Sequence, residues 1–408
     1  MLDQMNINER IVFSGLDGLA TWLKRHYFVR KKNFRRDESM EEYELAIIGN
    51  GYDLHYNQPT EYKHFYECIK KICNANCIDE YEPDKTNDIK IKEFYYFTKE
   101  LIEDNNFFVK YFLEYNKIFE TWTSFESELE NILRTFDEVF TNIEANNYSI
   151  RNEKNNDEKT LCLIDKDYIY GERLFALADE YFTQRTSITE YSSKQYNYFI
   201  IPIKFEQNIQ KRKIKIKKYI SEFPEKIYEQ LENFSTLFCM YLNLYVKETM
   251  KKTINKEIRV KRIINYNYTN VAQKMFDCNE VCYFHGEASN NKIVLGIDSS
   301  HKELSRFYMF FKRYQRIQIE SDYNKLSDFS DYMTSIVIIG HSLDKPDNYS
   351  LSYILNKDKS YHEIVVYYYQ KDKLAKAKLS RNLCLILGEE LFDKLTFEKR
   401  IIFKPLSD

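Results

Sequence analysis

The most constraining feature of the sequence is the run Ala46-Ile47-Ile48-Gly49-Asn50-Gly51-Tyr52-Asp53, where an apolar stretch stops abruptly at two glycines flanking one residue. A short, continuous Leu- and Ile-rich run reads as a strand buried on both faces. Glycine is used where a backbone must turn sharply or approach another group closely. The chain has only nine glycines, so their placement carries information. Gly49, Gly51, Gly286, Gly296 and Gly340 stand beside polar residues after apolar runs, which marks them as turns at strand ends. A turn of this kind leaves N–H groups pointing outward, an arrangement suited to a pyrophosphate. The full G-x-G-x-x-G fingerprint is not present, because Leu54 occupies the third glycine's place. On its own, the turn is equally well read as a tight strand-to-loop junction.

The other apolar runs repeat the pattern. Strands are predicted at Leu45–Ile48, Arg259–Asn265, Val281–Phe284, Ile293–Leu295, Ser335–Ile339 and Glu363–Tyr369, with Arg400–Phe403 as a late edge strand. Ala288-Ser289-Asn290-Asn291 is good turn chemistry, so residues 281–297 also read as a hairpin. Between the first and second strands, residues 61–257 read mainly as helices, with a polar loop over Asn152–Lys159 and Pro224 starting or kinking a helix. The expected fold class is therefore α/β: a Rossmann-like, mostly parallel sheet flanked by helices and split by a large helical insertion. The expected divisions are an N-terminal helical extension at 1–43, a Rossmann-like domain at 44–100 plus 258–408, and the insertion at 101–257.

Charge and cysteine content exclude several classes. A net charge of −3 gives no global field for nucleic acid or a membrane. The basic run Lys211–Lys218 is flanked by Glu206, Glu222 and Glu225, and reads as a solvated helix face rather than a phosphate-binding strip. Aromatic residues reach 16%, but Lys, Asn and Ile are abundant too, a joint bias that an AT-rich genome produces without any stacking surface. No secretory leader or membrane-length apolar run is seen, so the eight thiols are expected to be reduced and the chain cytoplasmic. The cysteine pairs 73/77 and 278/282 lack zinc-ribbon spacing, and no metal is expected.

Three polar clusters follow predicted strands. The first is Gly49-Asn50-Gly51 with Asp53. The second runs from Asn265, Asn267, Thr269 and Asn270 to His285 and Gly286. Asparagines at a strand end are poor core material but can fix ribose hydroxyls or orient water, and a histidine emerging there can act as a base near neutral pH. The third is Gly340-His341-Ser342 with Asp344 and Asp347, whose hydroxyl and carboxylates either bind hydroxyls or cap the helix beginning near Asn348. All three lie at carboxyl ends of strands, where open α/β sheets bind ligands. Glu126 is a further candidate, since helical spacing puts Trp122, Glu126 and Glu130 near one face.

At these residues the sequence resembles the bacterial abortive-infection AbiH family. The resemblance rests on Ile48-Gly49-Asn50-Gly51-Tyr52-Asp53, Pro59-Thr60-x-Tyr62, Trp122-x-x-x-Glu126, Asn265–Asn270, His285-Gly286, Leu295-Gly296 and Gly340-His341-Ser342-Leu343 with Asp347. The same motifs look like a diverged sirtuin-type NAD site. That likeness implies Asn267 and His285 as catalytic residues, Gly340 and Ser342 as a ribose-binding loop, and Gly49, Asn50 and Gly51 as the pyrophosphate turn. Asp53, Asn265, Thr269, His341 and Asp347 complete the set expected around the nucleotide. Thr269 stands where sirtuin-like enzymes carry an aspartate, and their zinc-binding cysteine ribbon is missing, which argues against protein deacylation.

The function these readings imply is an anti-phage effector that binds NAD or a related nucleotide and cleaves the nicotinamide–ribose bond. Two alternatives stay open: a sensor that binds a nucleotide without consuming it, and a nuclease-like effector. The expected partners are the nucleotide, a phage-derived trigger or partner defence protein, and a second copy of the chain. Neither a membrane nor a nucleic acid is expected.

Overall fold

The computed structural model describes residues 41–73, 92–96, 106–114, 122–145, 148–152, 159–164, 198–201, 209–246, 258–298, 304–331, 333–344, 347–356 and 363–406, with Lys90 and Thr98. The expected extension at 1–43 lies outside them up to residue 40, as do the side chains of Trp122 and of residues 211–216. The chain divides into two compact units, residues 1–42 with 255–259 and residues 43–254 with 260–408. Of the first, the described residues are the opening pairs of two strands, Glu41-Glu42 and Ile258-Arg259. The remaining residues of those strands and the site described below belong to the second.

Strand β1 (Glu41–Ile48) leads through Gly49 into the short helix α1 (Asn50–His55). Helices α2 (Tyr62–Cys73), α3 (Phe107–Glu114) and α4 (Trp122–Glu144) come next. Three strands, β2 (Tyr148–Asn152), β3 (Lys159–Ile164) and β4 (Tyr198–Ile201), are followed by the long helix α5 (Ile209–Tyr245). The chain then forms β5 (Ile258–Asn265), α6 (Val271–Phe276), β6 (Val281–Tyr283) and a small hairpin of β7 (Gly286–Glu287) and β8 (Lys292–Ile293). Helices α7 (Lys312–Gln318) and α8 (Leu326–Ser330) precede β9 (Ser335–Ile339). The last elements are α9 (Asn348–Asn356), β10 (Glu363–Tyr369), α10 (Ala375–Leu387), α11 (Glu389–Phe397) and β11 (Ile401–Leu406).

Six strands form one parallel sheet in the order β11-β10-β9-β1-β5-β6. From β1 the chain adds β5 and β6 on one side, then returns to add β9, β10 and β11 on the other. The reversal falls between β1 and β9, whose register pairs Ile47 with Ile338 and Ile48 with Ile339. Gly49 and Gly340 therefore leave the sheet side by side. Both faces of the central strands are buried, which is why their sequences are continuous apolar runs rather than alternating ones. On one face Leu45, Ile47, Ile264, Ile336, Ile338 and Val366 pack with Leu351, Ile354 and Leu355 of α9 and Leu383 of α10. This is the expected Rossmann-like architecture, and the intervening helices build a core of their own.

That second core is aromatic. Tyr62 and Phe65 of α2, Phe112 of α3, Phe125 of α4 and Phe234 of α5 lie ring against ring, with Phe125 and Phe234 stacked at 5.9 Å. Such pairs contribute about 0.5–1.5 kcal/mol each beyond the area they bury. The insertion is mainly helical, as expected, and among its described residues β2, β3 and β4 add an antiparallel sheet of three short strands. β2 and β3 have no adjacent glycine or proline and β4 has only Pro202 after it, so a reading keyed to glycine-marked turns passes over them. Pro224, expected to start or kink a helix, lies inside α5. The hairpin anticipated within 281–297 forms, while Val281–Tyr283 joins the main sheet. Among the described residues, no helix is long and apolar enough to cross a membrane.

Candidate functional site

At the carboxyl ends of β1, β5 and β9, beside the reversal of strand order, lies a cavity of about 230 Å³. This is where an open α/β sheet presents its loops to a ligand. Its walls include Gly49, Asn50 and Gly51 after β1, Tyr266, Asn267 and Tyr268 after β5, His285 after β6, and Gly340, His341, Ser342, Asp344 and Asp347 after β9. The helical insertion closes the other side with Glu61 and Tyr62 near the start of α2 and with Glu126 of α4. Lys312, the first residue of α7, completes the lining.

The glycines are explained by close approach of two turns. A Cβ on Gly49 would stand 2.5 Å from the His341 Cα, and one on Gly340, at φ +66°, would stand 2.0 Å from the Tyr52 nitrogen. The N–H of Gly49 donates to the Ile339 carbonyl at 3.1 Å, and that of Gly51 to the Gly340 carbonyl at 2.9 Å. The N–H of Tyr52 donates to the Gly49 carbonyl. The expectation that these glycine N–H groups point outward to a pyrophosphate is thus corrected: they are consumed in locking the two turns together. Leu343 in the second turn is buried at φ +58°, a strained conformation for a non-glycine residue, and its N–H donates to His341 Nδ1 at 3.0 Å.

The turn's hydrogen bonds set the protonation of the site. Because His341 Nδ1 accepts from Leu343, its proton is on Nε2, which faces Asp347 Oδ2 at 3.6 Å. His285 Nε2 lies 2.9 Å from Asp347 Oδ1. Burial would raise Asp347, but the Lys312 charge and the two histidines outweigh it and hold the carboxyl well below its usual range. Facing a carboxylate, His285 Nε2 carries the proton and Nδ1 is left with its lone pair. Burial pushes His285 down to about 4 against the pull of Asp347, so the ring is neutral at pH 7. Tyr266 packs edge-on against both imidazoles, with ring centroids at 5.4 and 4.7 Å, and its hydroxyl is tied to Ser350.

Asn267 is fixed from three directions. Its backbone N–H donates to Asn265 Oδ1, and its Nδ2 donates to the Gly49 carbonyl at 3.1 Å and to Asp53 Oδ1 at 3.0 Å. Thr269 Oγ1 donates to Asp53 Oδ2, and Asn265 Nδ2 to the Thr269 carbonyl. Among the described residues, two buried acceptors on the cavity residues have no partner: Asn267 Oδ1 and His285 Nδ1. Leaving such an atom unsatisfied costs about 1–3 kcal/mol, so each calls for a donor from a ligand or water.

A charged pair completes the site. Lys312 Nζ lies 2.6 Å from Glu126 Oε1, with side chains 3% and 13% exposed. Burial raises Glu126 to about 6 despite Lys312, with Asp347 adding to the rise. Lys312 is held by its backbone bond to Ile297 and by Gln315, which clamps both main-chain groups of Leu295.

Of the residues singled out from sequence, Gly49, Asn50, Gly51, Asn267, His285, Gly340, His341, Ser342, Asp347 and Glu126 meet at the cavity. Asp53, Asn265 and Thr269 do not line it; they sit behind Asn267 as its support. Lys312 escaped the sequence reading, although a lysine following Met309-Phe310-Phe311 in a buried run is a signal of a paired charge. Among curated proteins and solved structures nothing matches the chain. The model of the family described as bacteriophage abortive infection AbiH matches residues 45–369, from β1 to the end of β10 and through every wall of the cavity. The chain belongs to the AbiH family, whose role is phage abortive infection.

Proposed function

We propose that this AbiH protein is an effector whose cavity binds NAD or a related nucleotide by its ribose and hydrolyses the nicotinamide–ribose bond. The observation that carries this reading is the pair of unpartnered buried acceptors, Asn267 Oδ1 and His285 Nδ1, at neighbouring strand ends. Both atoms belong to residues that line the cavity, and acceptors match hydroxyl donors such as the vicinal hydroxyls of a ribose. The glycine turn contributes close approach of backbone rather than a phosphate cradle, since its glycine N–H groups are spent.

In the reaction water adds to the ribose C1′ and the bond to the nicotinamide nitrogen breaks. The bonding pair leaves with nicotinamide, which becomes neutral, and the water gives up one proton to solvent. His285 Nδ1 accepts a hydrogen bond from a ribose hydroxyl, with Asp347 behind Nε2 stabilising any positive charge the ring acquires. Asn267 orients the ribose or the water. Glu126, near its midpoint at about 6, supplies a second carboxyl from the insertion. The sensor alternative draws on one observation: a histidine lowered to about 4 is a weak base, better suited to holding a hydroxyl than to removing its proton.

Incubation of the purified full-length protein with NAD, with nicotinamide followed chromatographically, tests the reading. Release is expected from the wild type and not from His285→Ala or Asn267→Ala. Normal turnover by either variant removes its assigned role, and NAD binding without release selects the sensor. NAD levels in cells under phage challenge provide the corresponding test under activating conditions. Unchanged NAD alongside intact protection rejects hydrolysis.

A further inference from the structure

A carboxamide is nearly symmetric in shape, so its partners alone decide whether oxygen or nitrogen faces a ligand. Around Asn267 the decision is made behind the cavity. Nδ2 sits between the Gly49 carbonyl and Asp53 Oδ1, and both can only accept when Asp53 is ionised. Rotating the amide would set its oxygen against two acceptors. Asp53 is itself held: Thr269 donates to its second oxygen, and its own carbonyl accepts the N–H groups of Tyr56 and Gln58. Its side chain is fully buried and does not line the cavity.

We infer that Asp53, anchored by Thr269, is a positioning residue that fixes the Asn267 carboxamide so that Oδ1 and not Nδ2 is presented to the ligand. The part of this inference that concerns NAD rests on the reading given above; the part that concerns the amide stands on the hydrogen bonds alone. A fully buried carboxyl is a costly way to accept a hydrogen bond. Burial pushes Asp53 up to about 7, against the hydrogen bonds from Thr269 and Asn267. An asparagine would fill the same space at less cost, but it carries both a donor and an acceptor, which leaves the Gly49 carbonyl alone to favour one orientation of Asn267. An ionised carboxylate carries acceptors only. Thr269 is equally suited to its place, because its short side chain turns a hydroxyl donor inward while its backbone carbonyl holds Asn265. The pieces form a closed chain, Asn265 to Thr269 to Asp53 to Asn267 and back to Asn265, that ends in one free oxygen on the cavity residue.

The test compares full-length wild type with Asp53→Leu, Asp53→Asn and Thr269→Ser, each checked for folding by circular dichroism. The Asn267 side-chain NH₂ resonances are identified by their loss in Asn267→Asp, and NAD binding is measured by calorimetry at pH 8. Thr269→Ser, which keeps the hydroxyl donor to Asp53, is expected to keep the Asn267 resonance at its wild-type position. Both aspartate variants should shift or broaden the resonance and weaken NAD about tenfold, the loss of one hydrogen bond to a charged group. If Asp53→Leu does not fold, the near-isosteric Asp53→Asn decides alone. An unshifted Asn267 resonance in a folded Asp53 variant overturns the inference. Failure of wild type to bind NAD instead removes the nucleotide reading and leaves the resonance to decide Asp53's role.

Discussion

Replacing Lys312 by methionine is the sharpest probe of the cavity's electrostatics, because it removes the ammonium and keeps most of the buried stem. The side chain is 3% exposed and its nitrogen lies 2.6 Å from Glu126 Oε1. Deleting one partner of a buried ion pair costs about 3–5 kcal/mol when the other charge is stranded. Lys312 also faces Asp347, which keeps its two histidines; Glu126 has an escape, which is to take up a proton. Glu126 sits at about 6 even with Lys312 beside it and rises further without it. Protonating a carboxyl of pKa about 6 at pH 8 costs about 2.7 kcal/mol, and less as its pKa rises, so the part of the loss at pH 8 that comes from Glu126 is capped near 3 kcal/mol. Near pH 5.5 the proton is already available and the loss falls to about 1 kcal/mol. The sign follows from the raised pKa. In the wild type Glu126 weakens the fold as pH climbs from 4.5 through about 6, and Lys312→Met extends that window upward. With about 2.1 cal/mol/K of unfolding entropy per residue, 3 kcal/mol corresponds to a drop of about 3–4 °C for this chain. Calorimetric melting of both proteins at pH 5.5 and pH 8 reads the difference. Adding Glu126→Gln to the variant should recover most of the loss at pH 8. Equal drops at both pH values would refute the argument, since lost packing does not titrate.

Two further perturbations isolate other parts of the site. His285, lowered by burial to about 4 from an ordinary 6.5, contributes stability that is fully present above pH 6.5 and is lost as pH falls to about 4. Urea titrations across that range should show His285→Gln with a pH dependence flatter by about 3 kcal/mol, and parallel curves would mean the ring is not desolvated. Gly340→Ala places a methyl 2.0 Å from the Tyr52 nitrogen at φ +66° and should cost about 3 kcal/mol or more, whereas Gly388→Ala, at φ +82° with nothing within 4 Å, should cost about 1 kcal/mol. Equal urea midpoints for the two alanine variants would show that the interlock of the turns is not the reason for glycine at 340.

What could be read from the sequence follows from where the information resides. Buried parallel strands are apolar on both faces, so Ser335–Ile339 and Glu363–Tyr369 are delimited by their own residues and match the observed strands end to end. The strands of the insertion are short and none is marked by an adjacent glycine, so although Leu161–Ile164 stands out against the charged residues around it, their pairing is what identifies them as a sheet. The glycines were legible as points of close approach, but a glycine does not say what it approaches. For Gly49 and Gly51 the answer is the Gly340 turn, fixed by a register between β1 and β9 that no local pattern reveals. Polar residues at strand ends likewise announce a site without distinguishing its wall from its support. Asn267 and Asp53 were equally visible, and only the direction of a carboxamide puts one in the cavity and the other behind it. Lys312 was hidden for the same reason: its partner Glu126 comes from the insertion, and neither residue has a meaning at that position until the two halves of the fold meet. The chemistry of the cavity is thus relational. Local sequence specifies which groups are available, while the sheet order decides which are satisfied by one another and which two acceptors are left for something else.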